Sequence, residues 1–188
     1  MKTVIYFIRH AQPDLSIHDD LKRPLTKEGL KSRKQLVNYF EDKQVDTAYS
    51  SPFKRAIDTI EPIVINKNLS LEIISDFRER KIGDNWIPNF HEFCKKQWEN
   101  FNYKLVNGES LAETQQRNMQ ALIKVIKDNL GKTVIIGGHG TAIGTIINYF
   151  DYNFKYENFK KIQPIMPFVV KLSIDNLNFE GYEIIELE

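Results

Sequence analysis

The chain has 188 residues, with 26 Lys and Arg against 25 Asp and Glu, for a formal net charge of +1. That near balance excludes a general nucleic-acid or membrane-surface binder, which carries a basic excess. A composition of 41% hydrophobic and 27% charged residues excludes extensive disorder, so one domain over residues 1–188 is expected.

The lone cysteine, Cys94, allows no intrachain disulfide and has no CxxC partner, which fits a small buried thiol in a reducing cytoplasm. The apolar run over 4–8 is too short for a signal-peptide core, and no stretch approaches a membrane span.

Thr3, Val4, Ile5, Tyr6, Phe7 and Ile8 are β-branched and aromatic without alternation, the pattern of a strand buried on both faces in a parallel sheet. Thr26 caps a predicted helix to about residue 40, with Leu36 and Phe40 on one face. Residues 45–50 read as a second strand. Ser51-Pro52 signals a helix start, a capping hydroxyl followed by proline at the first helical position. Phe53, Ile57 and Ile60 follow at helical spacing, and Pro62 is expected to kink or end that helix. A third strand is predicted over 71–74.

Residues 80–108 break this rhythm. They carry Trp86, Phe90, Phe93, Trp98, Phe101 and Tyr103, and read as an irregular, partly helical cap over one end of the sheet. Ser110-Leu111-Ala112-Glu113 is a capping box. Met119, Leu122, Ile123, Ile126 and Leu130 continue it as a broad apolar stripe. A further buried strand is predicted over 133–137 and an apolar helix over 142–150. Strands at 168–174 and 179–185, around Asn176-Leu177-Asn178, read as a hairpin. The alternation predicts an α/β fold: a three-layer α/β/α sandwich whose mostly parallel central sheet has an antiparallel strand at one edge.

His10 and His139 each fall just past the carboxyl end of a predicted strand, where open α/β sheets bind ligands. Arg9 offers a fork of donors suited to phosphate oxygens. Gly138-His139-Gly140-Thr141 enters a helix whose free N–H groups and dipole favour an anion. Arg55, early in the helix after the second strand, reaches the same end of the sheet. Singly, each has a blander reading as a strand-end, turn or solvated-helix residue; their joint placement points to phosphoryl chemistry.

Six motifs in order then resemble the histidine phosphatase superfamily, also called the phosphoglycerate mutase-like family. They are Arg9-His10-Ala11; Pro24-Leu25-Thr26 with Gly29; Ser50 to Ala56, close to "SSPxxRA"; Phe77-Arg78-Glu79; Gly108-Glu109-Ser110; and Gly138-His139-Gly140. The resemblance implies that His10 is a nucleophile forming a phosphohistidine. It implies that Arg9, Arg55, His139 and Gly140 hold the phosphoryl oxygens, and that Glu79 protonates the leaving oxygen. Ser16 stands where the family often has a phosphate-binding asparagine, and its hydroxyl is a candidate donor in that place.

Cationic side chains make a metal or other cofactor unnecessary, and a His10/His139/Glu79 metal site is the alternative. The "GxxEG" turn after the acid is half present, as Gly83 followed by Asp84-Asn85-Trp86. Glu109 either touches the site or serves the helix N-terminus. His18 and His91 match no motif and are expected at the surface or pocket rim. Trp86, Phe90 and Trp98 either line the pocket or pack.

The short 80–108 excursion and the absence of an "RHGExxxN" run favour phosphomonoester hydrolysis over mutase-type transfer. A non-catalytic phosphoryl-binding module is the reading from another class. The expected partner is a small phosphorylated metabolite, with no nucleic acid or membrane; the chain acts as monomer or homodimer in the cytoplasm.

Overall fold

The computed structural model describes residues 1–187. Four strands run parallel: β1 (Lys2–Arg9), β2 (Thr47–Ser50), β3 (Leu71–Ile73) and β4 (Thr133–Gly138). β5 (Phe168–Asp175) pairs antiparallel with β1, and β6 (Asn178–Ile185) pairs antiparallel with β5. The sheet order is β3-β2-β4-β1-β5-β6. The predicted parallel sheet and terminal hairpin are therefore present.

Alternation along β1 builds the three layers. Ile5 and Phe7 join one apolar cluster with helices α4 (Leu111–Asp128), α5 (Gly140–Phe150) and α6 (Tyr156–Ile162). Tyr6 and Ile8 join the opposite cluster with α1 (Lys27–Phe40) and α2 (Lys54–Asn66). A strand covered on both faces has no polar side, which is why its sequence is continuously apolar.

Within 80–108 the one regular element is α3 (Phe90–Glu99). Trp98 anchors it, stacked on Phe159 of α6 with ring centroids 5.1 Å apart. Trp98 thus packs in the core. The α6 helix itself was not anticipated from its sequence.

The α4 capping box is complete. The Glu113 amide donates to Ser110 Oγ at 3.1 Å and the Ser110 amide to Glu113 Oε2 at 2.8 Å. The apolar stripe is narrower than expected: Met119, Leu122, Val125 and Ile126 are buried, while Ile123 and Leu130 are exposed.

One helix expectation is corrected and a second is narrowed. α2 begins at Lys54 rather than at Pro52, because Ser51 Oγ takes the Phe53 amide in a turn and faces His139 instead of capping. Pro62 also does not end α2, which runs on to Asn66. Proline leaves the Asp58 carbonyl without its i+4 donor. Arg33 of α1 supplies the replacement, its Nη1 donating to that carbonyl at 2.7 Å.

The predicted Thr26 cap holds, with the Gly29 amide donating to Thr26 Oγ1 at 3.0 Å. Thr26 also donates its amide to Gln12 O at 3.0 Å, which draws the first turn of α1 against the chain leaving His10. A Cβ at Gly29 would lie 2.3 Å from Gln12 O. Gly29→Ala should therefore lower stability by about 1–3 kcal/mol or more, the usual range for overpacking, seen as a lower thermal midpoint. An unchanged midpoint would mean that the loop yields freely.

Candidate active site

The parallel pairing of β1 with β4 sets Arg9 opposite Gly138, and the His10 amide donates to Gly138 O at 3.1 Å. Both chains leave the sheet at the same level. The His10 and His139 rings stand 5.3 Å apart at 62°. The next turn is pinned by the Ala11 amide donating to Thr59 Oγ1 at 2.9 Å.

His10 Nδ1 lies 2.8 Å from Ala11 O. A carbonyl only accepts, so Nδ1 carries the proton and Nε2 the lone pair. His139 is fully buried, its Nε2 2.7 Å from Ser51 Oγ, and its Nδ1 has no partner.

Arg9 Nη1 donates to the carbonyls of Gln163 at 2.5 Å and Ile165 at 3.0 Å, just beyond α6. Its Nε is buried and unpartnered. The guanidinium lies against Gly140, where a Cβ would come within 2.9 Å of Nε. Glycine at the start of α5 thus makes room for Arg9. Arg55, 4% exposed, donates through Nη1 to Asp20 O at 2.7 Å and lies 3.1 Å from Asp20 Oδ1. Glu79 Oε2 accepts the Thr141 amide at 3.0 Å in the first turn of α5, and Oε1 accepts the Arg80 amide at 2.9 Å.

A cavity of about 700 Å³ collects these groups. Arg9, His10, Arg55, Glu79 and Gly140 line it, with Trp86 and Phe90 from the aromatic stretch. Two candidates stand apart. His139 lies behind His10 rather than on the cavity wall. Ser16 is exposed outside it, with its hydroxyl donating to Asp14 Oδ1 at 2.6 Å. An Asx turn therefore takes up the hydroxyl expected to donate to phosphate.

Glu109 does neither thing expected of it. It forms ion pairs with Arg78 at 3.0 Å and Arg117 at 2.8 Å, away from the cavity. His18 reaches the rim, as one of its two expected places, and stacks on Trp86 at 5.1 Å.

Sequence reasoning missed Arg23, Asp20 and Arg80, which line the cavity together with Thr141 of the predicted anion-favouring turn. Asp20 Oδ1 bridges Arg23 at 2.8 Å and Arg55. Arg80 is 4% exposed. It donates to Gln97 Oε1 at 2.6 Å, to Thr141 Oγ1, and to Cys94 Sγ at 3.1 Å. Its neighbour Glu79 was the one local signal for it.

Burial holds both imidazoles well below their ordinary range. Arg55 and Arg9 push His10 further down, and Arg55, His10 and Arg9 do the same for His139. Burial lowers Arg9 to about 10, Glu79 opposing and Arg55 adding to the fall. Two neutral rings are therefore set among cationic guanidiniums. His139 is thus held toward its neutral form.

Residues 5–182 match the histidine phosphatase superfamily (branch 1). The chain belongs to that superfamily. It is an enzyme of the phosphatase type. Over 151 residues it is 31% identical to the uncharacterized phosphatase PhoE of Bacillus subtilis (strain 168), covering 77% of this chain and 76% of that one. Its fold matches YhfR of Bacillus stearothermophilus with a TM-score of 0.78 at 20% identity, over 95% and 94% of the two chains. It also matches a mycobacterial glucosyl-3-phosphoglycerate phosphatase, with a TM-score of 0.76 at 15% identity, over 98% and 97%. Among the described residues no helix is long and apolar enough to cross a membrane. Nor do three or more His, Cys, Asp or Glu side chains gather there as a metal-binding group.

The neutral histidines make stability depend on pH. Unfolded, each takes up a proton below about 6.5; folded, each resists until well below that. Between the two values the unfolded state binds more protons, so stability falls as pH falls. The thermal midpoint should drop from about pH 7 to about pH 5.5, and the slope should shrink in a His10→Asn/His139→Gln variant. Equal slopes in both proteins would show that these rings titrate normally.

Proposed function

We propose that the protein is a metal-independent phosphomonoester hydrolase working through a phosphohistidine at His10. The observation that carries this reading is the His10 ring itself. Its Nδ1–H is committed to Ala11 O, which leaves the Nε2 lone pair on a cavity wall shared with Arg9, Arg55 and Glu79. A neutral imidazole is a competent nucleophile, and here it is neutral at physiological pH.

In the first half-reaction Nε2 attacks phosphorus, forming the N–P bond as the P–O bond to the leaving group breaks in line. Glu79 gives its proton to the leaving oxygen. In the second, water attacks phosphorus, Glu79 takes the water proton, and the N–P bond returns its electrons to Nε2. Arg9 and Arg55 balance charge on the equatorial oxygens, with the Gly140 amide as a further donor, while His139 packs behind His10.

The cavity volume suits a small phosphorylated metabolite. Residues 81–87 and Phe90 enclose its outer side, which supports the reading of 80–108 as a cap. Water as acceptor is supported by the phosphatase relative and the short length of that cap. The lone buried thiol of Cys94 supports a cytoplasmic setting.

Hydrolysis of p-nitrophenyl phosphate should proceed equally with and without EDTA; loss with EDTA would replace this reading with a metal hydrolase. His10→Ala should lower kcat by at least about a thousandfold. It should also abolish an acid-labile, alkali-stable phosphoprotein trapped by rapid quench. A labelled His10→Ala protein would move the nucleophile elsewhere.

Glu79→Gln should cost about a hundredfold or more in kcat/KM on an alkyl phosphate such as glycerol phosphate, whose leaving oxygen needs a proton. It should cost little in kcat/KM on p-nitrophenyl phosphate, since that ratio reads only the steps through P–O cleavage and not the shared attack of water. Equal losses would remove Glu79 from the acid role.

A further inference from the structure

Glu79 sits on a stretch of chain without a ladder of its own. The 3-10 turn Ser75–Phe77 ends just before it, and residues 78–83 form no helix or strand. Such a segment does not by itself hold a side chain to the tolerance that proton transfer needs.

Arg117 supplies the missing partners. It lies on α4, whose Leu111 and Leu122 are fully buried, so its Cα is fixed by the core. Its Nη1 donates to Asp76 O at 2.6 Å and to Arg78 O at 2.8 Å, and its Nη2 to Glu79 O at 3.3 Å. Glu109 balances its charge with a two-pronged pair, Nε to Oε1 at 2.8 Å and Nη2 to Oε2 at 3.0 Å.

Glu109 also grips the other side of Glu79. Its Oε2 accepts the Lys81 amide at 2.9 Å, and its own amide donates to Lys81 O at 2.7 Å. The main chain is thus clamped on both sides of one carboxylate. Neither Arg117 nor Glu109 lines the cavity.

We infer that the Arg117–Glu109 ion pair is a positioning pair for Glu79, setting the main chain from which the carboxyl reaches the leaving oxygen. The inference rests on the acid role proposed above for Glu79. A largely buried ion pair is a poor source of stability compared with apolar packing. A planar, charged fork is well suited to gathering several carbonyls at fixed angles. Arg117 is thus used where its geometry matters more than its energy.

The test compares Arg117→Met and Glu109→Gln with the parent protein on glycerol phosphate and on p-nitrophenyl phosphate. Each variant should lose roughly tenfold or more in kcat/KM on the alkyl ester, since a displacement near 1 Å can cost a hundredfold. Each should stay within about twofold in kcat/KM on the nitrophenyl ester, because that ratio reads the P–O cleavage step and nitrophenolate departs without a proton. Arg117→Lys should restore part of the loss. Combining Arg117→Met with Glu79→Gln should cost no more than Glu79→Gln alone, as expected of residues that act through one another.

Equal losses on both esters, or additive losses in the double variant, would overturn the positioning role. So would a leaving-group split for Glu79→Gln with none for the Arg117 and Glu109 variants. No split for Glu79→Gln itself would overturn the acid role, and the inference with it. If circular dichroism shows Arg117→Met unfolded, Glu109→Gln and Arg117→Lys carry the comparison.

Discussion

The parallel register between β1 and β4 is the constraint on which the site depends. Arg9 faces Gly138, so the residues that follow, His10 and His139, emerge side by side. Nothing in either strand alone brings the two rings to 5.3 Å. A slip of one residue would turn every side chain of β1 to the opposite face and exchange its two apolar clusters. The buried sides of β1 therefore protect the spacing of the two histidines as well as the core. The same pairing leaves the start of α5 open at the end of β4, where Gly140 gives Arg9 space and the Thr141 amide holds Glu79.

Charge at this end of the sheet is arranged so that the histidines stay neutral. Arg9, Arg23, Arg55, Arg80 and Lys81 line the cavity against Asp20, Glu79 and Asp84, an excess of basic groups in a chain that is nearly neutral overall. That excess favours an anionic ligand and disfavours any further positive charge on an imidazole. Asp20 tempers it, bridging Arg23 and Arg55 at the outer wall. In the proposed reaction the nucleophile is thus ready without first losing a proton, and the guanidiniums carry the electrostatic load.

How much of this is legible in the sequence follows from how local each signal is. The β1 strand, the capping box at Ser110 and the strand-end histidines depend on neighbours within a few residues, so the chain declares them. The terminal hairpin is equally local. Arg80 is different: its burial depends on Gln97 and Cys94 from α3 and on Thr141 from α5, which no local pattern brings together. Pro62 shows the same limit, since the donor that replaces its missing N–H comes from Arg33 on another helix. Ser51 reads as a cap because the motif is local, whereas its partner His139 is far along the chain. Ser16 differs in the opposite direction, because Asp14, two residues before it, accepts its hydroxyl outside the cavity.

Two buried polar atoms at the site, Arg9 Nε and His139 Nδ1, have no protein partner. Arg9 Nη1, by contrast, donates to two carbonyls beyond α6. Arg9 is anchored at one nitrogen and left unsatisfied at another on the side packed against Gly140. A fork held in this way cannot swing away to pair with solvent. In the proposed reaction its remaining donors keep a fixed direction, and a phosphoryl oxygen arriving there gains a hydrogen bond without the cost of ordering the arginine.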